Sequence, residues 1–191
     1  GFSCARYLRL ASAWSEARRV ADGVPVSAES NPLQKAIFAS GFAWEERVIN
    51  DLIPPGKVHV PSGSKPVTER TFTVGQTLHL LKTAKPGEYI YQAKFDPSDR
   101  FYGRFGIDRT RVTISQNRPD LLQVLSGDDG RRVIRVIDMK RGQKLRVTYR
   151  IQLLMYALQL EDILADLGVD DVVADTEPVS YTHLTLPTST H

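Results

Sequence analysis

A mixed α/β fold, with helices flanking a central sheet, is predicted by three features of the sequence. Apolar residues recur at helical spacing over the first fifty positions, strand-sized apolar runs parted by turn residues fill 88–139, and a long amphipathic stretch ends at Gly168. Helices, a strand cluster and a closing helix, in that order, imply a mixed sheet with helices packed on it.

Each element has its own signal. Tyr7, Leu8, Leu10, Ala11 and Trp14 predict a helix over 3–20, stopped by Asp22-Gly23-Val24-Pro25. Asn31 and Pro32 form an N-cap and first-turn pair, and Ile37, Phe38, Phe42, Trp44, Val48, Ile49 and Leu52 carry that second helix to Pro54-Pro55. Residues 57–60 read as a short strand, 61–70 as a polar surface loop, and 74–84 as a short helix before Lys85-Pro86-Gly87. Strand-sized runs follow at 89–93, 102–105, 107–112, 121–125 and 131–139. Asp128-Asp129-Gly130 joins the last two as an antiparallel hairpin. The closing helix, 149–167, sets Ile151, Leu154, Met155, Leu158, Ile163 and Leu167 on its apolar face.

With 191 residues, 41% hydrophobic and 25% charged, the chain suffices for one sizeable core. Apolar stretches such as 151–160 are broken by Gln152 and Gln159 and fall short of the roughly 18 residues of a membrane span, so a soluble protein is expected. A single cysteine, Cys4, excludes an internal disulfide and any complete cysteine metal site, and cytoplasm is the expected compartment. The chain starts at Gly1 without a signal-peptide pattern, which reads as a fragment boundary. Residues 178–191 contain no charged side chain and are rich in Thr and Ser. They read as a non-native tail, and His183 and His191 are set aside with it.

Net charge is +3, yet residues 104–150 hold twelve Lys or Arg against five Asp, a local charge of +7. Such a window is either a solvated face or a surface for polyanions. The same window contains the acids of greatest chemical interest. Asp138-Met139-Lys140 closes the apolar run Val133-Ile134-Arg135-Val136-Ile137, and an unpaired charge buried in a core costs several kcal/mol. Asp138 and Lys140, two apart on a continuing strand, share one face, so Asp138 can bind a hard cation while Lys140 holds an attacking water. Met139 points away to pack, leaving its backbone carbonyl for the metal. Asp108, after Gly106-Ile107, offers a second carboxylate; its alternative is a turn Asp paired with Arg109 or Arg111. Gln152 and Tyr156, four apart, share a face of the last helix, where Tyr156 is alternatively a core aromatic. Arg150 lies near that helix start.

Gly106-Ile107-Asp108, Asp138-Met139-Lys140 and Gln152-Leu153-Leu154-Met155-Tyr156, in this order, resemble the motifs of RecB-type nucleases of the PD-(D/E)XK superfamily, over roughly 40–167. The resemblance implies a restriction-endonuclease-like fold in one domain, 1–177, truncated at one or both ends. It implies a metal-dependent deoxyribonuclease acting in DNA repair, recombination or defence against foreign DNA, with a helicase or recombination partner. Asp108, Asp138, the Met139 carbonyl and an acid of the early helix would hold Mg2+ or Mn2+. In Gly41-Phe42-Ala43-Trp44-Glu45-Glu46 that acid is Glu45, with Glu46 as alternative. Lys140 would position the attacking water, while Gln152, Tyr156, Arg146 and Arg150 orient the DNA backbone. Exonuclease and endonuclease both stay open. Many relatives carry an early histidine; neither helix before Pro54 contains one, and His59 and His79 lie outside the matching segment. That departure motivates the alternative, a catalytically inactive nucleic-acid-binding module or accessory domain of a larger helicase or recombination protein. Cys4 resembles the first of four cysteines that hold an iron–sulfur cluster in some relatives, but without three partners no cluster is expected.

Overall fold

The computed structural model describes residues 15–23, 32–139, 147–169, 171–174 and 179–180. The chain divides into two compact units, Gly1–Ser40 and Gly41–His191. In the first unit α1 (Glu16–Ala21) is opened by Ser15, whose side chain accepts the Arg18 N–H. The earlier part of the helix expected over 3–20 lies outside the described residues. Helix α2 (Pro32–Leu52) begins in this unit and ends in the second, with the bounds set by Pro32 at its start and Pro54 beyond its end.

The second unit is built on a mixed six-stranded sheet. Its strands are β1 (Val58–His59), β2 (Tyr89–Tyr91), β3 (Leu121–Ser126), β4 (Arg132–Asp138), β5 (Val172–Ala174) and β6 (Val179–Ser180). β1 runs parallel to β2; β2, β3 and β4 are successively antiparallel; β5 lies parallel to the start of β4 and β6 to its end. The β3–β4 hairpin turns at Asp128-Asp129-Gly130, where Gly130 takes φ 80°.

Alternation along the strands builds two cores. Ile90, Leu122, Val124, Ile134 and Val136 pack against Leu153, Ala157, Leu160 and Leu164 of α5 (Val147–Asp166) and Leu81 of α3 (Val74–Thr83). The α5 positions fall at i, i+4, i+7 and i+11, one continuous helical stripe. On the other face Tyr91, Leu121, Ile137 and Met139 pack with Val48, Trp44 and Ile49 of α2. Each fully buried aliphatic side chain stabilises by about 1.5–3 kcal/mol. A capping box between Thr73 and Gln76 starts α3, and the buried Thr77 hydroxyl accepts the Lys94 N–H at 2.9 Å, tying that helix to the chain beyond β2.

Two expected strands are absent. Residues 102–104 lie in α4 (Asp99–Arg104) with Phe105 as its C-cap, because Ser98 caps Phe101 N–H, Asp99 occupies the first turn, and Phe101 and Tyr102 bury their rings from a helix. Residues 107–112 form a turn after Gly106, which takes φ 61°. Two residues of the segment set aside as a tail, Val179 and Ser180, register with Ile137 and Asp138. β5 covers β4 only through Ile134, and the ladder positions beyond it accept any extended chain. Among the described residues no helix is long and apolar enough to cross a membrane.

Candidate functional site

Tyr91, Leu121 and Ile137 stand in one row across β2, β3 and β4. One step on, the row is Gln92, Asp120 and Asp138. The Gln92 N–H donates to the Asp120 carbonyl at 2.9 Å, and Ser180 of β6 registers with Asp138. Opposed residues of an antiparallel pair have Cα atoms about 4.5–5.5 Å apart, and the register carried one step past Leu121 and Ile137 brings the Asp120 and Asp138 backbones toward one another. Asp138 is 3% exposed and Asp120 half-buried.

The chain leading into β3 is fixed before it arrives. Asn117 bridges Phe95 through its backbone, and its side-chain amide donates to Gln159, a buried glutamine of α5. Pro119 is buried and has no N–H to satisfy. The Asp120 carboxylate then accepts the Met139 N–H at 2.8 Å. It thereby caps the end of β4, a charge-assisted bond to a donor that the ladder leaves over.

Helix α2 supplies the third acid. Tyr91 Oη donates to Glu45 Oε2 at 2.8 Å, and Gln92 Nε2 donates to the same oxygen at 3.3 Å. Burial, and then the hydrogen bond to Glu45, push the Tyr91 phenol well above its ordinary range, and the charges of Glu45 and Asp120 add to this. Tyr91 is therefore a fixed donor. Gln92 is 5% exposed and sits at φ 53°, a left-handed conformation costing about 1–3 kcal/mol in a residue with a Cβ. Its surroundings over-determine it. Beyond the bonds to Asp120 and Glu45, its carbonyl accepts Phe72 N–H at 3.2 Å and its Oε1 accepts Arg118 Nη2 at 3.2 Å.

Of the residues expected from sequence, Asp138, Met139 and Glu45 come to this edge of the sheet. Met139 packs in the α2-side core, as expected, and Glu46 is exposed. Asp108 does not belong to the row. It is exposed in the turn after α4, where Thr110 Oγ1 and N–H donate to its Oδ1 at 2.7 and 2.9 Å and lower its pKa. Lys140, Arg146 and Cys4 lie outside the described residues. Gln152 does not face the sheet; it is exposed and donates to Tyr156 Oη at 2.7 Å. Tyr156 packs on the core, edge-on to Phe95 at 6.2 Å between centroids, and Arg150 is exposed near the start of α5.

Sequence reasoning missed Asp120, Tyr91 and Gln92. The signal for Asp120 was Pro119-Asp120 directly before the apolar run 121–125, in a hairpin whose turn was already legible. The donors at this edge are all oxygens: the carboxylates of Glu45, Asp120 and Asp138 and the carbonyl of Met139. That chemistry fits a hard cation such as Mg2+ or Mn2+. Among the described residues no three His, Cys, Asp or Glu side chains are grouped to hold a metal ion; Glu45 is turned to Tyr91 and Gln92, and Asp120 to Met139. No family model, curated protein or solved structure matches the chain.

Proposed function

We propose that this chain is a divalent-metal-dependent deoxyribonuclease with a restriction-endonuclease-like core of the PD-(D/E)XK type. The observation that carries the reading is the antiparallel register of β3 and β4, whose end pair, Leu121 and Ile137, puts Asp120 and Asp138 next in line beyond it. Pro119-Asp120 and Asp138-Met139-Lys140 spell the two halves of the pattern for which that superfamily is named. Carboxylates brought together at the rim of a core repel one another, and a cation held between them would relieve that cost. Asp120 takes the place that the sequence reading gave to Asp108.

Asp120, Asp138, Glu45 and the Met139 carbonyl would hold Mg2+ or Mn2+. Such a cation, when bound, polarises the scissile phosphate and lowers the pKa of the attacking water. The chain's own groups supply position. Tyr91 and Gln92 hold Glu45 at the sheet edge. Lys140, two residues beyond Asp138, orients the water. The parallel β4–α5–β5 connection starts α5 at the edge where β4 ends, so Arg150, Gln152 and Tyr156 are available to the DNA backbone, with Arg146 just before them. Within the window 104–150, Lys140, Arg141, Lys144, Arg146 and Arg150 follow Asp138 closely in sequence and would draw the polyanion to this edge.

Purified protein is expected to cleave single- or double-stranded DNA in Mg2+ or Mn2+, and to stop when the metal is chelated or Asp138 is replaced by Ala. Salt-sensitive DNA binding with neither metal affinity nor cleavage would make the chain a binding module of a larger helicase or recombination protein instead. Roles in repair, recombination or defence against foreign DNA follow only from the active form.

A further inference from the structure

We propose that Arg118 forms a phosphate subsite beside the acidic row, and that Gln92 is the residue that positions it. The identity of the anion, a phosphodiester of a DNA strand lying across the row, rests on the nuclease reading above. The subsite itself rests on how three side chains are joined.

Arg118 is exposed, and Asp120 follows it by two residues. An arginine so close to carboxylates ordinarily closes a direct, often bidentate, ion pair. Here its Nη2 donates instead to the neutral Oε1 of Gln92, and among the described residues no carboxylate pairs with it. The other end of the same amide, Nε2, donates to Glu45. One buried amide therefore holds a cation at its oxygen and an anion at its nitrogen, keeping the two from neutralising each other. The guanidinium keeps its remaining donors for an anion.

The backbone of Gln92 supports this. Its left-handed φ and its bond to the Asp120 carbonyl fix the amide against the very segment, 118–120, that carries Arg118. Strain of this kind in a buried non-glycine residue persists where the surroundings hold it, commonly at functional sites. The remaining guanidinium donors form a planar fork that matches two phosphate oxygens. A strand bound there would lie with one phosphate on Arg118 and the next groups over Asp120 and Asp138.

The test is metal-free binding of a short fluorescent DNA duplex across a series of salt concentrations, followed by fluorescence anisotropy, with cleavage in Mg2+ measured alongside. Arg118→Gln, at an exposed position, is expected to weaken binding several-fold and to lower the salt slope by about one. Arg131→Gln, at the far end of the β3–β4 hairpin, is expected to leave both unchanged. Gln92→Gly accommodates the positive φ while deleting the amide. It should keep the wild-type slope but lose affinity several-fold, because Arg118 keeps its charge and loses its place. Wild-type affinity and slope in Arg118→Gln would overturn the subsite, as would an equal loss in Arg131→Gln. Wild-type affinity in Gln92→Gly would remove the positioning role. A wild-type chain that neither binds nor cleaves DNA sinks the nuclease reading itself, whereas cleavage with an indifferent Arg118 sinks only the subsite.

Discussion

The Met139 N–H donates to Asp120 Oδ2 at 2.8 Å, joining the end of β4 to the residue that opens β3. This bond fixes the Asp120 carboxylate at the end of β4, whereas Asp108 is spent on its own turn through Thr110. Under the proposed function the two acids therefore separate cleanly. Asp120→Ala is expected to lower DNA cleavage by roughly 10²–10³-fold, the scale seen when one group that stabilises developing charge is removed. Asp108→Ala should cleave like wild type. Initial rates in Mg2+ for the two variants decide it, and an inactive Asp108→Ala with an active Asp120→Ala would return the site to the turn after α4.

The register behind that relationship was within reach of the sequence. From the pair Ser126 and Arg132 that closes the hairpin, each step outward moves one residue back on β3 and one forward on β4, and the step past Leu121 and Ile137 arrives at Asp120 and Asp138. Reading Gly106-Ile107-Asp108 as a strand end hid this, because an apolar residue between glycine and a carboxylate fits a turn as well as a strand. Helices α2 and α5 and the hairpin were legible because their signals are local: Pro32 and Pro54 around one helix, a continuous apolar stripe along another, Asp128-Asp129-Gly130 between two runs. Strands of two or three residues, such as β5 and β6, are too short for periodicity to register, although β1 falls within the strand read over 57–60. Helix α4 was masked by its aromatic content, which favours strands until Ser98 is recognised as a cap. The left-handed Gln92 has no local signal at all; it is imposed by Asp120, Glu45, Phe72 and Arg118, residues distant in sequence.

Tyr91 is fully buried and its hydroxyl meets a carboxylate, so removing it should be felt as stability. A hydrogen bond to a charged group contributes about 1.5–3 kcal/mol, and Tyr91→Phe is expected to lose that order in urea unfolding at neutral pH. The pH dependence has a definite sign. Burial and Glu45 raise the folded phenol above the unfolded value, near 10, so its contribution is complete below about pH 10 and is lost as pH rises further. Urea midpoints from neutral to alkaline pH should fall less steeply in Tyr91→Phe than in wild type. Equal alkaline slopes would mean that Tyr91 is not held as described.

A second titrating contact lies at the β1–β2 edge. His59 Nε2 is 3.0 Å from Glu88 Oε2, and the Lys85 N–H donates to the same oxygen at 2.9 Å. The bond to His59, then that from Lys85, hold the Glu88 carboxyl below its ordinary range. A depressed carboxylate contributes stability that is present above the unfolded value, near 4.3, and is lost as pH falls through the lower folded one. Glu88→Gln should therefore be less stable than wild type at pH 6 and converge with it in acid. Parallel stability curves from pH 6 to pH 3 would show that the contact contributes nothing in solution.

Metal binding and folding can be separated at Asp120 because asparagine keeps an oxygen for the Met139 N–H while losing the charge. Asp120→Asn should therefore fold, with the far-UV circular dichroism of wild type. For wild type, a cation that binds only the folded chain stabilises it by about 2.7 kcal/mol at a hundred times its Kd. In a domain of this size that corresponds to a rise in Tm of roughly 5–10 °C. Mn2+ is expected to produce that rise in wild type and to lose most of it in Asp120→Asn, while Asp108→Asn responds like wild type. A Tm that does not move with Mn2+ or Mg2+ in the wild-type chain would remove the cation from this edge of the sheet.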